Sequence, residues 1–156
     1  MQLTMTVDEV IALATASSPL PPIVRSLSAE GEVVRAELDP LEVITGSLAR
    51  IVAAAAGTIS VVARFARFSE GVASFDITAM ARGLPAHKLL PLLLDRVNSA
   101  IAENPSIAGI VTIEDGTEQP RVLVDLHEAL STRVPGMRVT GFDLRDATFH
   151  LDATVS

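Results

Sequence analysis

The sequence predicts an α+β fold in which a strongly twisted antiparallel sheet packs against two long apolar helices. Three observations carry that expectation. Apolar and polar residues alternate over several short segments, which is the period of a half-buried strand. Tight turn sequences, of which Ser69-Glu70-Gly71 is the clearest, join neighbouring segments and make them antiparallel. Two other segments, 41–56 and 86–102, carry apolar residues at helical spacing instead. The 156 residues are of single-domain length, so 1–156 is read as one domain.

Met1 to Thr6 alternates, with Leu3 and Met5 on one side. Thr6-Val7-Asp8-Glu9 is a capping box, in which the hydroxyl takes an orphan amide and the carboxylate reaches back. It predicts a helix burying Val10, Ile11, Leu13 and Ala14. Ser17-Ser18-Pro19-Leu20-Pro21-Pro22 ends that helix, because proline removes a donor and restricts the residue before it. A turn of helix is expected across Ile23 to Leu27. Glu32 to Leu38 is the next strand, with Val34, Ala36 and Leu38 on one face.

Asp39-Pro40-Leu41-Glu42 starts a helix, with Asp as N-cap, Pro at the first helical position and Glu at the third. Leu41, Ile44, Leu48, Ile51 and Ala55 make one stripe, and the opposite face (Val43, Ala49, Ala53, Ala54) is uncharged too. Such a helix is expected to be buried on most sides. Thr58 to Phe68 and Val72 to Met80 form a hairpin. On its first strand Ile59, Val61, Ala63 and Phe65 oppose Val62, Arg64 and Phe68. On its second, Ala73, Phe75, Ile77 and Ala79 oppose Ser74, Asp76 and Thr78.

Leu90, Leu93, Leu94, Val97 and Ile101 stripe the helix expected from Ala86 to Ala102, with Pro91 kinking it or lying in its first turn. Ile107 to Glu114 and Arg121 to Val124 are strands. Asp125-Leu126-His127-Glu128 caps a short helix that stops before Pro135-Gly136. Met137 to Leu144 and Thr148 to Val155 close the chain as a hairpin. In its first strand the apolar phase changes from Met137 and Val139 to Phe142 and Leu144, which a bulge at Gly141 reconciles. Strand followed by acid-capped helix thus recurs three times, a pattern that suggests pseudo-duplication.

Composition excludes several classes of function. The net charge is −7, and there is no Trp, no Tyr and five Phe. A chain without aromatic platforms or a basic patch is not expected to bind nucleic acid. With no cysteine there is no thiol catalysis and no Cys–zinc or iron–sulfur site. The cysteine-free composition, with no signal-peptide pattern at the start, points to the cytoplasm. No run is apolar enough for a membrane span.

Catalytic chemistry is equally poorly represented. His87, His127 and His150 show no metal-ligand spacing, and HExxH, GxSxG and phosphate-loop motifs are absent. No catalytic residue, metal or cofactor is assigned, and a non-enzymatic role is expected. An enzyme assembled from convergent residues would instead place His127 or His150 in a cleft beside a carboxylate. Asp76 is read as solvated, with Arg64 or Arg67 balancing it across the hairpin.

What remains is an apolar excess: 49% of the residues are hydrophobic. It can fill a core, form a homodimer or other partner interface, or line a pocket for a hydrophobic small molecule or lipid. The pocket reading names Ile44, Leu48, Ile51, Phe65, Phe75, Leu90, Leu94 and Val97.

The run from Val72 through Gly83-Leu84-Pro85 to Leu89-Leu90-Pro91-Leu92-Leu93-Leu94 has a rhythm of its own. So does the tail from Val122-Leu123-Val124-Asp125-Leu126 through Pro135-Gly136-Met137-Arg138-Val139 to Phe142–Leu151. Together they resemble bacterial proteins of the tubular lipid-binding type. The resemblance covers about half the chain and is one of pattern. It implies long curved antiparallel strands wrapped around a helix and enclosing acyl chains.

Overall fold

A computed structural model of the chain describes residues 1–17, 19–20, 22–39, 57–81, 84–85, 90–103, 108–114 and 119–156. Among these the chain runs β1 (Gln2–Thr6), α1 (Val7–Ser17), β2 (Val24–Glu30), β3 (Val33–Leu38), β4 (Ile59–Ser69) and β5 (Val72–Ala81). It continues through β6 (Leu84–Pro85), α2 (Leu90–Glu103), β7 (Val111–Glu114), β8 (Arg121–Asp125), α3 (Leu126–Ser131), β9 (Met137–Arg145) and β10 (Thr148–Val155). The strands form two antiparallel sheets. One has the order β1-β10-β9, the other β2-β3-β4-β5-β8-β7 with β6 paired to β5.

Local chemistry explains the junctions. Thr6 N–H donates to the Glu9 carboxylate at 2.7 Å and Glu9 N–H to the Thr6 hydroxyl at 3.1 Å, so the capping box starts α1 where β1 ends. Asp125 ends β8 and accepts the Glu128 N–H at 2.8 Å, which starts α3. Pro91 lies in the first turn of α2, where its missing N–H is harmless. The β4–β5 turn has φ +52 at Glu70 and +84 at Gly71, and the β9–β10 turn has +51 at Asp146 and +53 at Ala147. Positive φ at both central residues is the type I′ geometry that suits the twist of a hairpin.

Strand register then sorts the side chains. Pairing across β2, β3, β4, β5, β8 and β7 brings Ala29, Val34, Ala63 and Ile77 to one face. It also brings Leu27, Ala36, Val61 and Ala79 there, and likewise Phe65, Phe75, Val122 and Ile113. The buried residues under this face fall into two clusters. Leu38, Ile59, Ile77 and Ala79 form the first, packed by Ile23, Val24, Val61 and Leu94 of α2. Val7, Ala73, Phe75 and Leu144 form the second, where the three-stranded sheet contributes Phe142 and Phe149. Val122 touches both. Each fully buried Leu or Ile stabilises the fold by roughly 1.5–3 kcal/mol.

This architecture corrects the expected one. Among the described residues the chain is mostly β, with two sheets and short helices, rather than one sheet on two long helices. The described helices reach 14 residues in α2. The helix expected over 41–56 lies outside the described residues, as do Ala86 to Leu89 at the expected start of α2. The C-terminal hairpin leaves the main sheet because its third strand is β1, from the other end of the chain. The strand–capped helix–hairpin order does recur, as β1-α1-β2-β3 and β8-α3-β9-β10, but the two hairpins join different sheets.

Three local expectations are corrected as well. Residues 24–27 are strand, not helix, because β2 pairs with β3 from Val24 onward. Leu13 is 61% exposed, and α1 instead buries Val7 with Ile11 half-buried. The register of β4 against β5 skips Ala66, and that bulge turns Phe68 to the same cluster as Phe65. The bulge expected in β9 is present: Asp152 pairs with Gly141 and Ala153 with Val139, leaving Thr140 as the extra residue.

Candidate functional site

Among the described residues the seven-stranded sheet presents a continuous apolar face, packed by α2 at one end and by the three-stranded sheet and α1 at the other. Under α2 its floor is Leu38 on β3, Ile59 on β4, and Ile77 and Ala79 on β5, all buried. Leu94 of α2 packs onto this floor, and Val97 one turn on is half-buried. Ala36 and Val61 flank it and are half-buried too. Its described residues include no polar group that could fix a ligand's orientation; they can exclude water from an apolar chain.

The expected pocket residues separate in space. Leu94 sits on the first cluster. Phe65 and Phe75 sit in the second, edge to face at 5.7 Å, and Phe142 closes over them at 5.5 and 6.4 Å. Leu90 opens α2, and the placement of its side chain is outside the described set, while Ile44, Leu48 and Ile51 lie outside the described residues altogether. Phe142 was not among the candidates, although the phase change around Gly141 is the signal that turns it inward. Leu38 and Ile59, the floor beneath Leu94, were legible only as strand residues.

The open surface clefts are of mixed polarity. One of about 360 Å³ is lined by Phe68, Glu70, Gly71, His127, Arg138, Val139 and Thr140. It does bring a histidine beside a carboxylate, but no hydrogen bond or ion pair joins His127, Glu70 and Arg138. A second, of about 540 Å³, lies between Ala108–Ile110 and α3, where the Asp125 carboxylate is already engaged as a helix cap. A third, of about 600 Å³, spans the β2–β3 hairpin, where Arg64 is paired to Glu32 at 2.8 Å. His150 is half-buried on β10 and His87 lies outside the described residues.

Other polar groups are accounted for structurally. Asp76 is bound by Arg121 at 3.2 Å, not by Arg64 or Arg67, and its side chain is 29% exposed rather than fully solvated. Ser74, buried on the same strand, donates to the Arg67 carbonyl at 3.4 Å. Among the described residues no group of His, Asp and Glu is placed to hold a metal ion, and no helix is long and apolar enough to cross a membrane. No family model, curated protein or solved structure matches the chain.

Proposed function

We propose that this chain is a non-catalytic binding module for a hydrophobic small molecule or lipid, taken up against the apolar face beneath α2. The observation that carries this reading is the register. Across six strands every position on that face is apolar, from Leu27 on β2 to Ile113 on β7. Leu94 of α2 packs on one end of that face, the three-stranded sheet and α1 cover the end at Phe65 and Phe75, and half-buried Ala36, Val61 and Ala81 border the α2 contact. An alkyl chain lying along them would remove further apolar area from water, at about 25 cal/mol per Å². A long antiparallel sheet with a helix on its apolar side is also what the resemblance to tubular lipid-binding proteins implies. The absence of cysteine supports a reducing, cytoplasmic address.

Native mass spectrometry of delipidated protein with palmitate or oleate tests the reading. A one-to-one adduct is expected, weakened at least tenfold by Val97→Glu with the far-ultraviolet circular dichroism unchanged. Bare polypeptide at about tenfold fatty-acid excess overturns it, since an apolar site of this kind should saturate there.

A further inference from the structure

Strand β1 is an edge of the three-stranded sheet, and its hydrogen-bonding parity is fixed by three bonds. Met1 N donates to Ala153 O at 2.8 Å, Ala153 N–H to Met1 O at 2.9 Å, and Val7 N–H to Ala147 O at 2.9 Å. Odd-numbered residues of β1 therefore face β10, and the N–H and C=O of Gln2 and Thr4 point outward. Both residues are exposed, and their outward groups make no hydrogen bond among the described residues. Leu3 between them is 47% exposed although it lies on the same sheet face as Phe149 and Leu151.

Natural edge strands are protected by charge, proline, bulges or brevity. The other described edges have such protection. Strand β2 carries Arg25 at a bulge and ends in Glu30, β7 has four residues and ends in Glu114, and β9 carries Arg138, Asp143 and Arg145 with a bulge at Thr140. Strand β1, Gln-Leu-Thr-Met-Thr, carries no charge, no proline and no bulge.

We infer that β1 is the edge through which two copies of this chain pair, antiparallel about a two-fold axis at Leu3. In that register Gln2 lies opposite the second copy's Thr4, so every outward N–H of these residues meets an outward C=O. The two Leu3 side chains meet at the non-hydrogen-bonded position, where side chains approach most closely. A register centred on Thr4 is disfavoured because it needs Thr6 N–H, which the Glu9 carboxylate already holds at 2.7 Å. Charge is compatible: each chain carries −7, yet the paired strands are uncharged, so no like charges are placed opposite one another. The pairing joins the small sheets into one continuous sheet and covers Leu3. The buried area falls below that of standard stable complexes, roughly 1,200 Å² and upward, so the dimer is weak, with Kd of about 10–100 μM.

Sedimentation equilibrium of the untagged chain from about 1 to 500 μM, a span that brackets that Kd, tests the inference. The weight-average mass is expected to rise from 16.4 kDa towards twice that value. Thr4→Pro removes an outward N–H that makes no bond among the described residues, and Leu3→Lys places a charge on the axis. Both are expected to stay monomeric throughout. A wild-type chain that remains monomeric, or a dimer that survives in both variants, overturns the inference. If Thr4→Pro does not fold, Leu3→Lys decides, together with amide exchange of the wild type. Protection of Gln2 and Thr4 that grows with protein concentration supports the pairing. Protection unchanged by concentration, or induced only by an added extended peptide, overturns it.

Discussion

Gly71 and His127 are held in backbone contact. The Gly71 carbonyl accepts the His127 N–H at 3.2 Å and the Leu126 N–H at 3.0 Å, so the β4–β5 turn caps the first turn of α3. A Cβ on Gly71 would lie 2.8 Å from the His127 Cβ, and Gly71 has φ +84. Both the close approach and the left-handed backbone demand glycine. Gly71→Ala is expected to destabilise by about 2–4 kcal/mol, read as a fall in the urea midpoint with unchanged slope. Glu70→Gly, at φ +52 in the same turn, is expected to be neutral or up to about 1 kcal/mol stabilising. Equal losses in the two variants would show that neither backbone geometry nor the approach to His127 limits the turn.

Ala147 is the other turn residue whose conformation is held by its neighbours. Its N–H donates to the Gly31 carbonyl at 2.9 Å and its carbonyl accepts the Val7 N–H at 2.9 Å, tying the β9–β10 turn to the β2–β3 turn and to α1. An alanine at φ +53 pays the left-handed steric cost, about 1–2 kcal/mol. Ala147→Gly relieves that cost but adds freedom to the unfolded chain, about 0.4–1 kcal/mol. The net expectation is a gain of about 0.5–1 kcal/mol in thermal or urea unfolding. Ala147→Val is expected to lose stability instead, because a β-branched side chain tolerates positive φ worse than alanine.

Legibility in the sequence follows the range of the interaction. The helix starts at Thr6–Glu9 and Asp125–Glu128 are local bonds between residues three apart, and both were readable. The β9 bulge was readable because Met137 and Val139 on one side, and Phe142 and Leu144 on the other, define two clear phases. The bulge at Ala66 was hidden because Phe65, Ala66 and Phe68 are apolar in either phase. Pairing of β1 with β10 joins opposite ends of the chain and leaves no local trace, so the second sheet went unseen. For the candidate site, Leu94 was visible from its helical stripe. Phe65 and Phe75 were visible as inward-facing but not as partners of Phe142, which needs the second sheet to exist.

Phe142 is the hub of that second cluster. Its ring lies 5.5 Å from Phe65, 5.6 Å from Phe149, 6.4 Å from Phe75 and 6.5 Å from Phe68. Phe142→Ala removes the ring that joins the two sheets and is expected to cost about 3–5 kcal/mol, the lower end because the residue is half-buried. Phe142→Leu keeps much of the volume and is expected to cost about 1–2 kcal/mol. Chemical denaturation of both variants checks the order. A Phe142→Ala cost below about 1 kcal/mol would mean that the sheets are held elsewhere.

Asp76 provides a test of pairing across strands. Its Cα partner on β4 is Arg64, and its partner on β8 is Arg121. Only Arg121 reaches it, at 3.2 Å, while Arg64 turns to Glu32 at 2.8 Å. The Arg121 and Asp76 side chains are 42% and 29% exposed, so solvent screens the pair and its worth is modest. A double-mutant cycle with Asp76→Asn and Arg121→Gln is expected to give a coupling of about 0.5–1 kcal/mol, diminished in 0.5 M salt, where the Debye length falls to about 4 Å. The same cycle with Arg64→Gln in place of Arg121→Gln is expected to give no coupling beyond about 0.3 kcal/mol. Coupling to Arg64 equal to that for Arg121 would mean that Asp76 is shared across the hairpin, and that strand register alone, rather than the direction each arginine takes, chooses its partner.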